Sequence, residues 1–407
     1  MSSPPTILCL ASFFKGGEFL QESARTGARV VLITRDKLCD REWPRDCLDE
    51  LIGIEGRPTA DAYLEAAVHA SRTRRFDRVV ALEEMDVMTA ALLREELGIA
   101  GAGTSSARLF QDKLTMRARA REEGLLVPEF VHTLNVEAIA DFLARVPPPW
   151  MLKPRIGASA MGIHLLSTAD DVWAALHDLD SRDDDASRPE RHLLERFIPG
   201  VVFHVDSLSY GGEVVFESVE RYGVPPFDVV SRGGIATSHT VERGSSHEAT
   251  LLALNREVLG RFGFESGTSH VEFILGATDG RFYFLEAAAR VGGAYTAETI
   301  RAATGVNVWE EWARIETATP DRPYRAPDAL GNYGGVAVSL ARQEHPDTTA
   351  YTDPEIVYRV QQAHHVGLVV GSPDHDRVVA LLDEYARGFA VDFTTSAPLE
   401  DSPARYL

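Results

Sequence analysis

The stretch SHVEFILGATDGRFYFLEAAARVGG, residues 269–293, carries two apolar runs, Val271–Leu275 and Phe282–Leu285, on either side of Asp279-Gly280. Asp-Gly between two such runs is a strong hairpin signal. Glu272 and Glu286 lie seven residues either side of Asp279, so a hairpin loop of about three to five residues sets them nearly opposite each other. Directly opposed residues have Cβ atoms about 5 Å apart, and like charges at that position destabilise the pair. Ile274 and Phe284 alternate in phase with the carboxylates, which predicts an apolar, covered face where unpartnered charges would be too costly. Something positive is therefore expected between them. Mg²⁺, a hard cation, is ordinarily held by carboxylates plus substrate phosphates. Arg290 adds a planar positive fork suited to phosphate or carboxylate. The segment reads as a nucleoside-triphosphate site on antiparallel strands. If the two acids merely repel when no metal is bound, Glu286→Gln should leave the metal-free fold intact.

The chain of 407 residues is too long for one ordinary core, and two or three domains are expected. Its composition is globular, and its net charge of −20 argues against a nucleic-acid partner held by phosphate neutralisation. Three cysteines, Cys9, Cys39 and Cys47, show neither even number nor zinc-like spacing and suit a reducing compartment. The short apolar stretch Thr6–Phe14 lacks a preceding basic segment and reads as a first buried strand. No run approaches the roughly 20 apolar residues of a bilayer span. A cytoplasmic protein with no membrane partner is expected.

Residues 1–106 alternate strands (Thr6–Ala11, Arg29–Thr34, Arg78–Glu83) with helices (Gly17–Thr26, Thr59–Thr73, Val87–Leu97), the pattern of a small parallel α/β sheet. Gly16-Gly17 lacks the spacing of a dinucleotide loop. Phe14, Lys15 and Glu83 fall where strands end, which is where open α/β sheets bind ligands. A second unit, 107–320, opens with a helix over Ser106–Glu123. Strands at Trp150–Pro154, Gly162–Leu166, His192–Phe197, Val201–Tyr210 and Glu213–Tyr222 follow, with a Pro/Gly-rich loop over Gly223–Gly234. Helices are expected at Ala169–Leu179, Glu248–Phe262 and Thr296–Ala318, and Asp183-Asp184-Asp185 reads as a solvated acidic turn. Pro320, Pro323 and Pro327 mark a boundary to a C-terminal α+β unit, 321–407, with two strands, a helix over Asp374–Arg387 and a last strand.

Three further segments carry chemistry. In WMLKPRIGASAMGI (150–163), Lys153 ends an apolar strand before a small-residue loop containing Gly157, Ser159 and Gly162. Small residues let backbone N–H groups approach phosphates, with Lys153 as a point charge. In LLERFIPGVVFHVDS (193–207), an extended linker can present its backbone to an adenine edge. Phe197 and Ile198 would give apolar cover beside Arg196, and Glu195 would accept from the adenine amino group. Lys113 lies on the helix that opens the second unit. Each segment alone has a plain structural reading.

Their order is more specific. Lys113, Lys153 with its loop, Glu195 with its linker, then Glu272, Glu286 and Arg290, all after an α/β domain, resembles the ATP-grasp superfamily over about 110–315. The resemblance implies a pre-ATP-grasp domain followed by a two-subdomain ATP-grasp fold and a C-terminal subdomain. It implies ATP and Mg²⁺, with Mn²⁺ an acceptable substitute, the two lysines on the nucleotide and the two acids on metal. Arg290 would then stabilise the transferring group. An acyl-phosphate mechanism is implied: a carboxylate attacks the γ-phosphate and an amine displaces phosphate. Small-molecule carboxylate and amine substrates follow, and a homodimer is compatible. Ala288 stands where the family commonly has Asn, and Val202 where peptide ligases often have a ribose-binding acid. His204, similar to a nearby histidine of biotin carboxylases, is the substitute nucleotide contact. Val291-Gly292-Gly293-Ala294 lacks the Gln and Glu that biotin carboxylases use for bicarbonate, so the amino-acid ligase branch is the better match. A carboxylase and a non-catalytic nucleotide binder are the alternatives. Arg232, Gly292 and Gly293 are the candidate substrate contacts.

Overall fold

The computed structural model describes residues 4–56, 59–157, 160–181 and 191–395, with Arg232 described by its backbone alone. The acidic run 183–185 and Ser159 lie outside the described residues.

The chain begins β1 (Thr6–Ala11), α1 (Gly17–Arg25), β2 (Arg29–Arg35), β3 (Glu50–Ile54), α2 (Ala60–Ser71), β4 (Arg78–Ala81) and α3 (Val87–Leu97). The strands form a parallel sheet in the order β3-β2-β1-β4. All six residues of β1 are buried, as a strand covered on both faces requires. Leu8, Leu10, Val31 and Ile33 pack against Tyr63, Ala67 and Ala91 on one face. On the other, Ile7, Cys9, Val30 and Leu32 meet Phe19 and Leu20 of α1, joined by residues from almost 300 positions later, Trp309, Trp312 and Ile315.

Next come α4 (Thr104–Ala107), α5 (Lys113–Glu122), β5 (Phe130–His132), α6 (Val136–Arg145), β6 (Trp150–Pro154), β7 (His164–Leu166), α7 (Ala169–Ser181) and β8 (His192–Arg196). The single helix expected over Ser106–Glu123 is broken at Gln111-Asp112. The Asp112 side chain accepts from the N–H groups of Leu114 and Thr115, which makes it an N-cap and Lys113 the first helical residue. Strands β5-β8-β6-β7 form an antiparallel sheet over a core of Phe142, Trp150, Leu152, Leu176 and Leu194.

The remainder is β9 (Gly200–Tyr210), β10 (Glu213–Tyr222), α8 (Pro226–Arg232), β11 (Ala236–Thr240), α9 (Ser246–Phe262), β12 (Gly267–Gly276), β13 (Phe282–Ala288), α10 (Thr296–Thr304), α11 (Val308–Glu316), β14 (Tyr333–Leu340), β15 (Ile356–Arg359), β16 (His365–Ser372) and α12 (His375–Asp392). One antiparallel sheet runs β13-β12-β9-β10-β11-β14-β16-β15, so strands after residue 320 continue the sheet that carries the carboxylate hairpin. Three local expectations are corrected. The Pro/Gly-rich segment contains α8, begun by Pro225-Pro226, which suits the first turn of a helix. The helix expected over Thr296–Ala318 is two, divided by Gly305 at φ 75° and by Asn307, which caps α11. The expected last strand is reduced, among the described residues, to a bridge of Thr394 with Ala341, because α12 continues to Asp392.

The hairpin pairs Glu272 with Glu286, but the next pair is Phe273 with Phe284. Leu285 is therefore the extra residue of a bulge, and the face reading changes across it. Phe284 turns away from the acids to pack on Phe262 and Phe273. Tyr283 and Leu285 join Ile274 on the carboxylate side. No helix among the described residues is long and apolar enough to cross a membrane.

Because Trp312 is buried against Phe19, with ring centroids 4.9 Å apart, the N-terminal sheet and the later helices share one core. Trp312→Ala is expected to lower unfolding free energy by about 3–5 kcal/mol. Denaturant unfolding should remain a single transition, and a separate melt of the N-terminal sheet would contradict the shared core.

Candidate active site

The two antiparallel sheets face each other across a cavity of about 450 Å³. Lys153, Gly157 and Met161 line it from the smaller sheet. The connection Glu195–Gly200 forms its back, α8 one wall, and Val202, Tyr222, Ile274, Glu272 and Glu286 its floor on the larger sheet. Arg290 and Gly293 close the end beside the N-terminal domain.

Helix α5 places Lys113 so that its Nζ donates to the Gly157 carbonyl at 2.7 Å and lies 3.0 Å from Glu286 Oε2. Burial works against the charged Lys113, but Glu286 and Glu84 hold its pKa up. Burial likewise opposes ionisation of Glu286, yet Lys113, Lys153 and Arg290 draw its carboxyl down to about 2. Glu286 thus has a cation beside it without any metal. Glu272 is served differently: its Oε1 accepts from the Tyr222 hydroxyl at 3.0 Å and lies 3.4 Å from His270 Nε2.

Lys153 is ion-paired to Glu195, whose other oxygen receives Arg117 Nε at 3.2 Å. Arg117 is fully buried and also donates to the Leu285 carbonyl at the bulge. Burial pushes the Lys153 pKa down despite Glu195. It opposes the ionised Glu195 too, although Lys153 and Arg117 win and hold that carboxyl low. Glu195 borders the cavity with its carboxylate between these two cations. Arg196, Phe197 and Ile198 line the cavity.

Arg290 donates through Nε to Glu84 Oε2 at 2.9 Å and through Nη1 to the Val291 carbonyl at 3.0 Å. Glu84 follows β4, and Glu83 beside it pairs with Lys15. The N-terminal domain therefore aims the guanidinium. His204, expected as a nucleotide contact, does not line the cavity. It is wholly buried, with Nδ1 2.6 Å from Asp206, Nε2 3.0 Å from Ser238 and Tyr222 packed over its ring, so it lies beneath the cavity floor. Val202 lines the cavity instead.

Gly157 and Gly162 both have positive φ, 149° and 68°, and Gly157 borders the cavity. Gly293 has open space where a Cβ would be, whereas a Cβ on Gly292 would lie 2.7 Å from Asp206 Oδ1. Gly292 is small because of that neighbour. Arg232 ends α8, and its side chain lies outside the described residues.

Sequence reasoning passed over Arg117, Glu84, Asp206 and His270. His270 and Asp206 do carry a signal, since each shares its sheet face with a site acid in the H-x-E and H-x-D spacings of adjacent strands. Arg117 looked like one of several arginines on a solvated helix. The set present suits a magnesium-bound nucleoside triphosphate: two carboxylates of hard oxygen character, two buried lysines and one arginine converge on a single cavity.

A family model described as the ATP-grasp domain matches residues 146–298. An L-arginine-specific L-amino acid ligase of Bacillus subtilis is 28% identical over 260 residues, 63% of this chain and 60% of that protein. The chain thus spans about three fifths of the length of the curated relative it matches. Among solved structures, an L-amino acid ligase from Bacillus licheniformis superposes with a TM-score of 0.75 at 15% identity, covering 98% of this chain and 100% of that one. A biotin carboxylase from Campylobacter jejuni gives 0.68 at 14% identity, covering 96% and 91%. N5-carboxyaminoimidazole synthetase of Staphylococcus aureus with ADP gives 0.71 at 16%, covering 95% and 98%. At these identities the structures show a shared fold.

The pairing of Lys113 with Glu286 changes the expectation for Glu286→Gln. A carboxyl at about 2 in the fold against 4.5 ordinarily stabilises above the higher value and loses that contribution as pH falls towards the lower. Glu286→Gln should therefore cost roughly 1–3 kcal/mol of metal-free stability at pH 6, with the gap from wild type narrowing between pH 4.5 and pH 2. Thermal melts across that range check it, and a constant gap would contradict it. Arg117→Met should be harsher, about 3–5 kcal/mol, because one partner of a buried ion pair is removed.

Proposed function

Taking as premise that residues 146–298 form an ATP-grasp domain, we propose that this chain is an ATP-dependent carboxylate–amine ligase. It joins two small molecules, amino acids by analogy with the named relative, into an amide and releases ADP and phosphate. The observation that carries the reading is the convergence of Lys113, Lys153, Glu272, Glu286 and Arg290 on one cavity. The adenine would lie among Phe197, Ile198, Val202 and Ile274 with α8 over it. Lys153 and Lys113 would meet the phosphates.

Glu272 and Glu286 would hold Mg²⁺, or Mn²⁺ in its place, and the ion supplies charge neutralisation across the phosphates when bound. A substrate carboxylate oxygen attacks the γ-phosphorus and ADP leaves. An uncharged amine then attacks the acyl carbon of the resulting acyl phosphate. Phosphate departs and the amine proton passes to solvent. Arg290, fixed by Glu84 before any ligand arrives, meets negative charge as it develops on the transferring group. Substrates would enter at the Arg290 end, where Gly293 leaves space, and Arg232 is proposed as an anion contact. The reading includes a cytoplasmic setting and free small-molecule substrates. A homodimer is compatible with it.

Val291-Gly292-Gly293-Ala294 after Arg290 is the observation against a carboxylase. The test is a panel of amino-acid pairs with product analysis. ADP and phosphate should appear only when acid and amine are both present, and AMP with pyrophosphate would overturn the reading. Tight ATP binding without turnover on any pair would favour a non-catalytic binder. Arg290→Ala should lower kcat by about 10²–10³. Arg232→Ala should raise the KM for carboxylate or ATP about tenfold, the worth of one charge-assisted hydrogen bond. An unchanged constant would remove Arg232 from the site.

A further inference from the structure

At the cavity floor the sheet carries a polar cluster, of which His270 borders the cavity. His204, Asp206 and His270 are each almost completely buried, and their ligating atoms lie within 4.8 Å of one another. They occupy adjacent strands, with Asp206 of β9 paired to His270 of β12 and His204 to Glu272. Asp206 is the centre. Its Oδ2 is 2.6 Å from His204 Nδ1 and its Oδ1 3.0 Å from His270 Nδ1. A carboxylate can only accept, so both rings donate through Nδ1, and His270, which meets a second carboxylate through Nε2, donates there as well, as an imidazolium. With both oxygens engaged, Asp206 is a fixed anchor.

That anchor decides where the far side of each ring points. His204 Nε2 meets Ser238 Oγ at 3.0 Å, inside the sheet. His270 Nε2 points at Glu272 Oε1, 3.4 Å away, and the Tyr222 hydroxyl donates to the same oxygen at 3.0 Å. The other oxygen, Oε2, has no hydrogen-bond partner among the described residues. A free glutamate swivels about its last torsion and offers either oxygen or both, whereas this one has a single oxygen pinned by groups on two other positions. Asp206 also reaches the loop of Arg290, since a Cβ at Gly292 would lie 2.7 Å from its Oδ1.

We propose that Asp206 and His270 are positioning residues that fix Glu272 as a one-oxygen cation ligand. Asp206 orients the His270 ring. His270 and Tyr222 hold Glu272 Oε1, and Oε2 alone is presented to the ion. This rests on the reading of Glu272 as a cation ligand. It extends to a carboxylate the rule that partners behind a metal-binding side chain set its orientation, and such partners change affinity by about 10–100-fold.

The test separates the two ends of the His270 ring. Asn at 270 retains an N–H donor near Asp206 and loses the one to Glu272, whereas Gln places its amide N–H towards Glu272 and gives up the anchor. Mn²⁺ is titrated into the full-length protein with ADP present, and bound ion is read by electron paramagnetic resonance. His270→Ala and His270→Asn should weaken Mn²⁺ at least tenfold, and His270→Gln should recover most of that loss. ADP affinity without cation should stay within twofold of wild type. If Asn preserves Mn²⁺ affinity as well as Gln does, or both match wild type, while Glu272→Gln weakens it, the positioning role is overturned and the cation reading stands. If Glu272→Gln itself leaves Mn²⁺ binding unchanged, the cation reading fails instead. Should His270→Ala not fold, the Asn and Gln pair still decides.

Discussion

Two carboxylates opposite each other on neighbouring strands repel, and the interior around the cavity is arranged to answer that repulsion. Glu286 is met by Lys113 from α5 and Glu272 by Tyr222 and His270 from its own sheet. Each answer is anchored in turn. Lys113 is tied to the Gly157 carbonyl of the opposite sheet, and His270 to Asp206. The charges reach outward by three more pairs, Lys153 and Arg117 each with Glu195, and Arg290 with Glu84. Buried charges are tolerable only when paired and hydrogen-bonded. The site is therefore a network in which acids and bases alternate, and ligand phosphates would exchange places with acids already present.

How much of this the sequence discloses depends on the range over which each feature is determined. The hairpin register, Glu272 against Glu286, follows from a local turn and local apolar runs. So does β6, a short apolar run that carries Lys153 just before its end. The bulge at Leu285 does not, because the extra residue is accommodated by the Arg117 contact to its carbonyl, from 168 positions away. That one residue moves Phe284 to the opposite face. Helix boundaries failed where a short polar side chain wins over helical continuation, as Asp112 and Asn307 do. Partnerships made only in three dimensions were not legible either, such as that of Lys153 and Arg117 with the Glu195 carboxylate. His204 alternates correctly onto the cavity side of β9, but Tyr222 and Asp206 enclose it.

The same long-range packing makes the first domain part of the candidate site. Its sheet borrows Trp309, Trp312 and Ile315 from α11 to cover one face. Glu84, in the turn that follows its last strand, is what holds Arg290. A domain joined only by a linker would orient that arginine loosely, whereas a shared apolar core fixes the distance between β4 and β13. The orientation of one guanidinium is thereby set by tens of buried side chains.

The loop from Arg290 to Tyr295 shows how closely that orientation is held. Arg290 is locked to Glu84 at its start, and Gly292 passes Asp206 with no room for a Cβ. Ala294 and Tyr295 then follow in succession at φ 51° and 65°. Left-handed backbone at a residue other than glycine costs about 1–3 kcal/mol and persists only where its surroundings over-determine it. Here those surroundings are identifiable. Thr296 donates through its hydroxyl to the Gly293 carbonyl, Thr299 to that of Tyr295, and the Tyr295 ring reaches Gln362 and Tyr358 beside β15. A loop pinned at both ends and strained between them cannot adapt to its ligand. Whatever enters beyond Arg290 meets a preformed wall, so discrimination between substrates must come from the shape of that wall and from groups outside this loop.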